Sequence, residues 1–122
     1  NCLAVTDTVQ INMIPAPIVN AGVAITVCAN NDSISLNGTI SGGTSTGFWS
    51  SNGTGIFIPD SSQLNAIYIP SSADTATGTV TLTLASTNGC RTVLDSILVT
   101  ITDAPRANAP STGIVLLIPS AC

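Results

Sequence analysis

Four cysteines, at positions 2, 28, 90 and 122, are the residues of this 122-residue chain best suited to covalent chemistry. A zinc site would need four ligands at metal-binding spacing. The chain has no His and no C-x-x-C pair, so no metal site is read. Disulfides in an oxidising compartment are the reading that remains. Cys28 ends a short predicted strand and Cys90 lies at the turn before the last one, so a Cys28–Cys90 bridge is expected. Closing so long a loop stabilises by about 4 kcal/mol in the chain-entropy model. Cys2 and Cys122 have two readings. They pair with each other and tie two loose ends, or they face neighbouring units, with a head-to-tail Cys122–Cys2 link between molecules.

Other side chains offer less. Four of the six aspartates precede a hydroxyl and then an apolar residue, in Asp7-Thr8-Val9, Asp32-Ser33-Ile34, Asp74-Thr75-Ala76 and Asp95-Ser96-Ile97. On a strand, a hydroxyl next to an inward apolar residue points outward, where a bulky modification would not disturb the core. The plainer reading is that these residues cap strand starts. Asn31, Asn37 and Asn52 head N-glycosylation triplets, which chance supplies in a chain so rich in Asn, Ser and Thr. Asp60 and Asp74 match no known calcium loop. Trp49 and Phe48 could stack on a sugar, although a Trp in this position is more often the plug of a core. With no His, Lys or Glu and the cysteines oxidised, neither acid–base nor nucleophilic catalysis has its residues. The chain reads as a non-enzyme without cofactors.

Composition narrows the partners. Six Asp against two Arg give a net charge of -4. Nothing here neutralises a row of phosphates, so nucleic acid is excluded, and an anionic membrane surface is disfavoured. No apolar run approaches the roughly 18 residues needed to cross a bilayer, so membrane insertion is not expected. The chain opens without Met or a basic segment, and it reads as a mature or excised product.

The elements that must position these residues are strands. Helical periodicity is absent, while short alternating runs recur every 8–12 residues or so. Strands are predicted over residues 5–13, 23–27, 33–40, 47–50, 56–58, 64–69, 79–84 and 93–101. An Asn52-Gly53 hairpin is expected after the fourth. About seven antiparallel strands in the body of the chain fit an all-β, immunoglobulin-like Greek-key β-sandwich.

The first of these strands repeats the last. Residues 2–21 align with residues 90–109 without a gap, and Cys2/Cys90, Val5/Val93, Asp7/Asp95, Ala16/Ala104, Pro17/Pro105, Asn20/Asn108 and Ala21/Ala109 are identical. Such a period is the length of one small β domain, so the chain reads as one unit of an array. Residues 1–17 are the strand and linker that end a preceding repeat, 18–105 are the repeat domain, and 106–122 form a linker and the start of a following unit or a docking strand.

Several stretches resemble the tandem immunoglobulin-like (PKD-like) repeats of large Bacteroidota surface proteins of gliding-motility-adhesin type. They include Asp7-Thr8-Val9-Gln10-Ile11, Pro15-Ala16-Pro17, Val27-Cys28-Ala29-Asn30-Asn31, Ser41-Gly42-Gly43-Thr44, Gly78-Thr79-Val80-Thr81-Leu82 and Asn88-Gly89-Cys90. The resemblance implies export by the type IX route and placement outside the cell or on its surface. It also implies O-glycosylation at Thr8, Ser33, Thr75 and Ser96. The function expected is an extracellular structural or adhesive repeat module whose partners are copies of itself or neighbouring repeats. Head-to-tail assembly would proceed by strand addition or intermolecular disulfides. The alternative is a module that binds a surface polysaccharide.

Overall fold

The computed structural model describes residues 2–30 and 33–103. Among these described residues, nine strands and one short helix are arranged as β1 (Ile18–Asn20), β2 (Ile25–Cys28), β3 (Ile34–Ser35), β4 (Thr39–Ser41), β5 (Thr46–Ser51), β6 (Ile56–Ile58), β7 (Ile67–Ile69), α1 (Ser72–Thr77), β8 (Thr79–Thr87) and β9 (Leu94–Thr102). One sheet has the order β2-β9-β8-β5, a second β3-β7-β6, and β1 pairs with β4. All neighbours are antiparallel except β2 and β9, which run parallel.

Alternation builds the core. Val80, Leu82 and Leu84 of β8 point inward beside Ile97, Val99 and Ile101 of β9, and every one of them is buried. Ile34, Leu36, Ile40, Ala66 and Tyr68 close the same cluster from the other sheets. Trp49 sits in the middle. It is buried, and its indole N–H donates to the Leu64 carbonyl at 3.1 Å, which satisfies the one polar atom the ring brings inside.

Several expected elements take a different form. The stretch 33–40 is two short strands, β3 paired with β7 and β4 with β1, and Gly38 between them lies against the core. A side chain at Gly38 would lie 2.6 Å from Leu84 and 2.8 Å from Trp49. Asn52-Gly53 is not a hairpin turn, since β5 and β6 belong to different sheets and the segment crosses between them. The helix was not expected. Ser71 caps it by accepting the Asp74 N–H, Asp74 returns the bond to the Ser71 N–H, and Gly78 ends it in the left-handed conformation. Six residues are too few to show a helical period.

Most consequentially, residues 2–17 form no strand. The segment read as a repeat of the last strand stands free of the sandwich.

Candidate functional site

The sandwich has two poles, and chain direction distinguishes them. Thr46 pairs with Thr87 and Ile18 with Ser41, so loop 42–45, turn 88–93 and the start of β1 share one end. Thr102 pairs with Cys28 and Gly78 accepts the Ile101 N–H, so the ends of β9 and β2 share the other with α1. The chain therefore enters the fold at one pole and leaves β9 at the opposite one. Nine residues of β9 put these ends about 30 Å apart.

Residues 14–17 are fastened to the entry pole. Pro17 is buried. A side chain at Gly42 would lie 2.6 Å from the Ala16 carbonyl oxygen, one at Gly43 would clash with the Pro15 carbonyl oxygen, and one at Gly89 would lie 2.8 Å from the Pro17 ring. Gly42 also needs its positive φ of 87°. Loop and turn have thus given up their side chains to let the linker lie against them.

Residues 2–13 carry an exposed apolar face. Val9, Ile11 and Met13 are 84%, 77% and 90% exposed. Their counterparts in the repeat, Ile97, Val99 and Ile101, are 4%, 0% and 5% exposed. Just before that triplet, the Asp95 carboxylate accepts the Ala21 N–H at 2.8 Å and pins the crossover from β1 to β2. Asp7 stands at the same place in the free segment.

The cysteine expectation needs correction. Cys28 and Cys90 are not bonded to each other: Cys90 is an exposed free thiol, as is Cys2. Because β2 runs parallel to β9, Cys28 is level with Thr102, whereas Cys90 precedes Leu94 at the other pole. About 26 Å of strand separates Leu94 from Thr102, while a disulfide needs its Cα atoms within about 7 Å. Cys28 is itself disulfide-bonded. Cys122 lies outside the described residues.

The hydroxyl triplets are dispersed. Thr8, Ser33 and Ser96 are exposed, and Ser96 lies 2.8 Å from the Thr83 hydroxyl on the outer face of the four-stranded sheet. Thr75 is on α1, half-buried, with its hydroxyl donating to the Ser71 carbonyl. Of the N-glycosylation triplets, Asn31 is outside the described residues, Asn37 is exposed, and Asn52 accepts the Thr81 N–H.

Sequence reasoning missed what Asp74 does. Its carboxylate is buried and accepts from Thr54 N–H, Gly55 N–H, Ser71 N–H and, at 2.7 Å, the Tyr68 hydroxyl. Burial pushes this carboxyl up, but the bonds from Tyr68, Thr54, Ser71 and Gly55 together outweigh it and hold it below the usual carboxylate range. Burial likewise raises the Tyr68 phenol. This is a structural clip joining the 52–55 crossover to α1, and its lone pairs are spent on donors. Asp60 binds the Ser62 N–H and hydroxyl instead. Among the described residues no group of three or more His, Cys, Asp or Glu could hold a metal ion. The S-x-x-D spacing of Ser71 and Asp74, with Gly78 following, was the available signal for the helix cap.

Comparison with known proteins bears on the fold. A solved chain described as a chimeric titin Z1Z2 functionalized with a decorin peptide superposes with a TM-score of 0.54 at 15% identity, covering 76% of this chain and all of that one. The fold is immunoglobulin-like. The strand pairing of β2 with β9 and the buried Trp49 are consistent with that likeness. No family model matches the chain, and no curated protein does.

Proposed function

We propose that this chain is a structural repeat module that assembles head to tail with units of its own kind outside the cell or on its surface. One observation carries the reading: the apolar triplet of the N-terminal segment is bare, while the matching triplet of β9 forms part of the core. A sequence that folds as a strand in one place and lies unpaired in another is short of its partners, and those partners belong to a neighbouring unit. Entry and exit at opposite poles support a collinear array, since each contact leaves the next one open. The linker pressed on Gly42, Gly43 and Gly89 supports a stiff one.

The disulfide at Cys28 fits an oxidising, extracellular setting such as the type IX route would reach. The free Cys2 and Cys90 thiols are available to join neighbours. The exposed Thr8, Ser33 and Ser96 fit O-glycosylation better than Thr75, whose hydroxyl is engaged. Of Trp49 and Phe48, the pair that could stack on a sugar, Trp49 is in the core and only the half-exposed Phe48 remains.

Sedimentation and electron microscopy of the full chain without ligand test the assembly reading. Concentration-dependent growth into linear particles is the expected result. A monomer at every concentration, in a properly folded sample, would overturn it.

A further inference from the structure

Resting on the assembly reading, we infer that residues 5–13 of one copy add as a strand to the outer flank of β6 in the next copy. Ile11 and Met13 there extend a block of four isoleucines on the face of the three-stranded sheet.

The receiving surface is built by two short strands. β6 and β7 pair antiparallel, with Ile56 opposite Ile69 and Ile58 opposite Ile67. Phe57 and Tyr68, the pair between them, turn inward, where Tyr68 is fully buried. The four isoleucines therefore face out, and Ile56, Ile58 and Ile67 are 59%, 41% and 39% exposed. β7 lies on one flank of β6, and no strand among the described residues lies on the other. No charge interrupts the block, since Asp60 is in the loop after β6 and Asp74 is buried. The net charge of -4 therefore does not oppose a contact between copies here. A contiguous apolar patch on an open sheet edge is a surface for a partner strand.

Its place along the molecule matches the direction of assembly. Ile56 follows the crossover that Asp74 ties to α1, and Ile69 precedes the Ser71 cap, so the block begins at the exit pole. In a head-to-tail line the next copy presents its entry pole there. Its residues 3–14 start from that pole and reach up to about 40 Å when extended. Laid back along this flank, the segment runs toward the exit pole while β6 runs away from it, so the two pair antiparallel. Alternate side chains repeat at about 6.7 Å on both strands. Met13 then comes level with Ile56 and Ile11 with Ile58, and a slip by one residue turns the apolar stripe off the isoleucines.

The other edges fit less well. On β5 the Trp49 N–H already donates to the Ser61 carbonyl at 2.7 Å. β2 runs toward the exit pole, so the segment would lie parallel to it, the weaker pairing. Its outer face shows the exposed Thr26, and its apolar Ile25 and Val27 already pack against the core. β3 is two residues long with Ser35 outward, and the β1–β4 pair lies by the entry pole, away from the junction. A nine-residue strand is about 30 Å long and takes up about 5 Å of sheet. That contact is far smaller than the roughly 800 Å² per partner of a stable pair, so growth depends on concentration.

Two variants of the full chain, studied by sedimentation velocity, test the contact. The receiver variant carries Ile56→Glu and Ile58→Glu; the donor variant carries Val9→Asp and Ile11→Asp. All four positions are exposed, so both should unfold cooperatively and keep the emission of a buried Trp49. Alone, each should stay monomeric to about tenfold above the concentration at which the parent grows. Mixed, they should form one-to-one pairs and nothing longer, because the donor variant still offers β6 and the receiver variant still offers its N-terminal segment. If the glutamates unfold the domain, Ile56→Thr and Ile58→Thr, which suit an exposed strand, replace them with the same expectation.

Parent-like growth of the folded receiver variant overturns this inference and leaves the assembly reading standing, as does a mixture that stays monomeric. Thr26→Glu on β2 and Ser50→Glu on β5 should grow like the parent, and arrest by either overturns the choice of β6. A parent that is monomeric at every concentration overturns the assembly reading itself, and this inference with it.

Discussion

The carboxylate of Asp95, near the start of the last strand, accepts the N–H of Ala21 at 2.8 Å, across 74 residues of chain. The bond ties β9 to the point where the chain leaves one sheet for the other. Asp7, one repeat earlier, belongs to the same sequence pattern and is exposed, with no such crossover beside it among the described residues.

Asp95→Ala is accordingly expected to lower stability by about 1–2 kcal/mol, the usual cost of losing a half-buried bond to a charged acceptor. Asp7→Ala is expected to leave the isolated domain within about 0.5 kcal/mol of the parent, because Asp7 is exposed. Urea unfolding followed by Trp49 fluorescence compares the two. Equal losses would contradict the assignment.

Asp74 makes stability depend on pH. Its carboxyl is held below the usual range in the fold, so the charged form is the one the fold favours. That contribution is fully present above the unfolded value near 3.8 and is lost as pH falls through the lower folded value. Asp74→Asn should cost about 2 kcal/mol at neutral pH and flatten the acid limb below about pH 4. It should not abolish that limb, because the exposed Asp60 is also depressed by its bonds to Ser62. Tyr68→Phe should shift the Asp74 titration upward. Thermal unfolding between pH 2 and 7 reads all three.

Alkylation of the folded chain without reductant should label Cys2 and Cys90 and leave Cys28 unlabelled until it is reduced. Peptide mapping by mass spectrometry gives the result directly. A labelled Cys28, or a protected Cys90 in monomeric material, would contradict the placement of the thiols.

Much of the sandwich was legible because alternation is a local signal. Thr79-Val80-Thr81-Leu82-Thr83-Leu84 reads as β8 on sight, and a single Trp in a chain with few aromatics reads as a plug. What escaped was set by distant partners or by lengths too short for a period. The parallel alignment of β2 with β9 sends Cys28 and Cys90 to opposite poles, and cysteine spacing carries no trace of it. The six residues of α1 announce themselves only through their caps. Asn52-Gly53 has hairpin residues, yet it crosses between sheets because Asp74 binds the N–H groups of Thr54 and Gly55 and draws the chain away. The 88-residue repeat, from Cys2 to Cys90, was plain in the sequence. That its first copy stands bare of partners was visible only once the strands were in place.

The most direct test is the pair of substitutions Val9→Asp and Ile11→Asp in the full chain, measured by sedimentation velocity alongside thermal unfolding. Both side chains lie outside the core, so the domain should keep its Tm to within a few degrees. A charge on the buried face of a docked strand is costly, so particles larger than the monomer should disappear. Assembly that persists unchanged in the double variant would contradict the claim that residues 3–14 join one unit to the next.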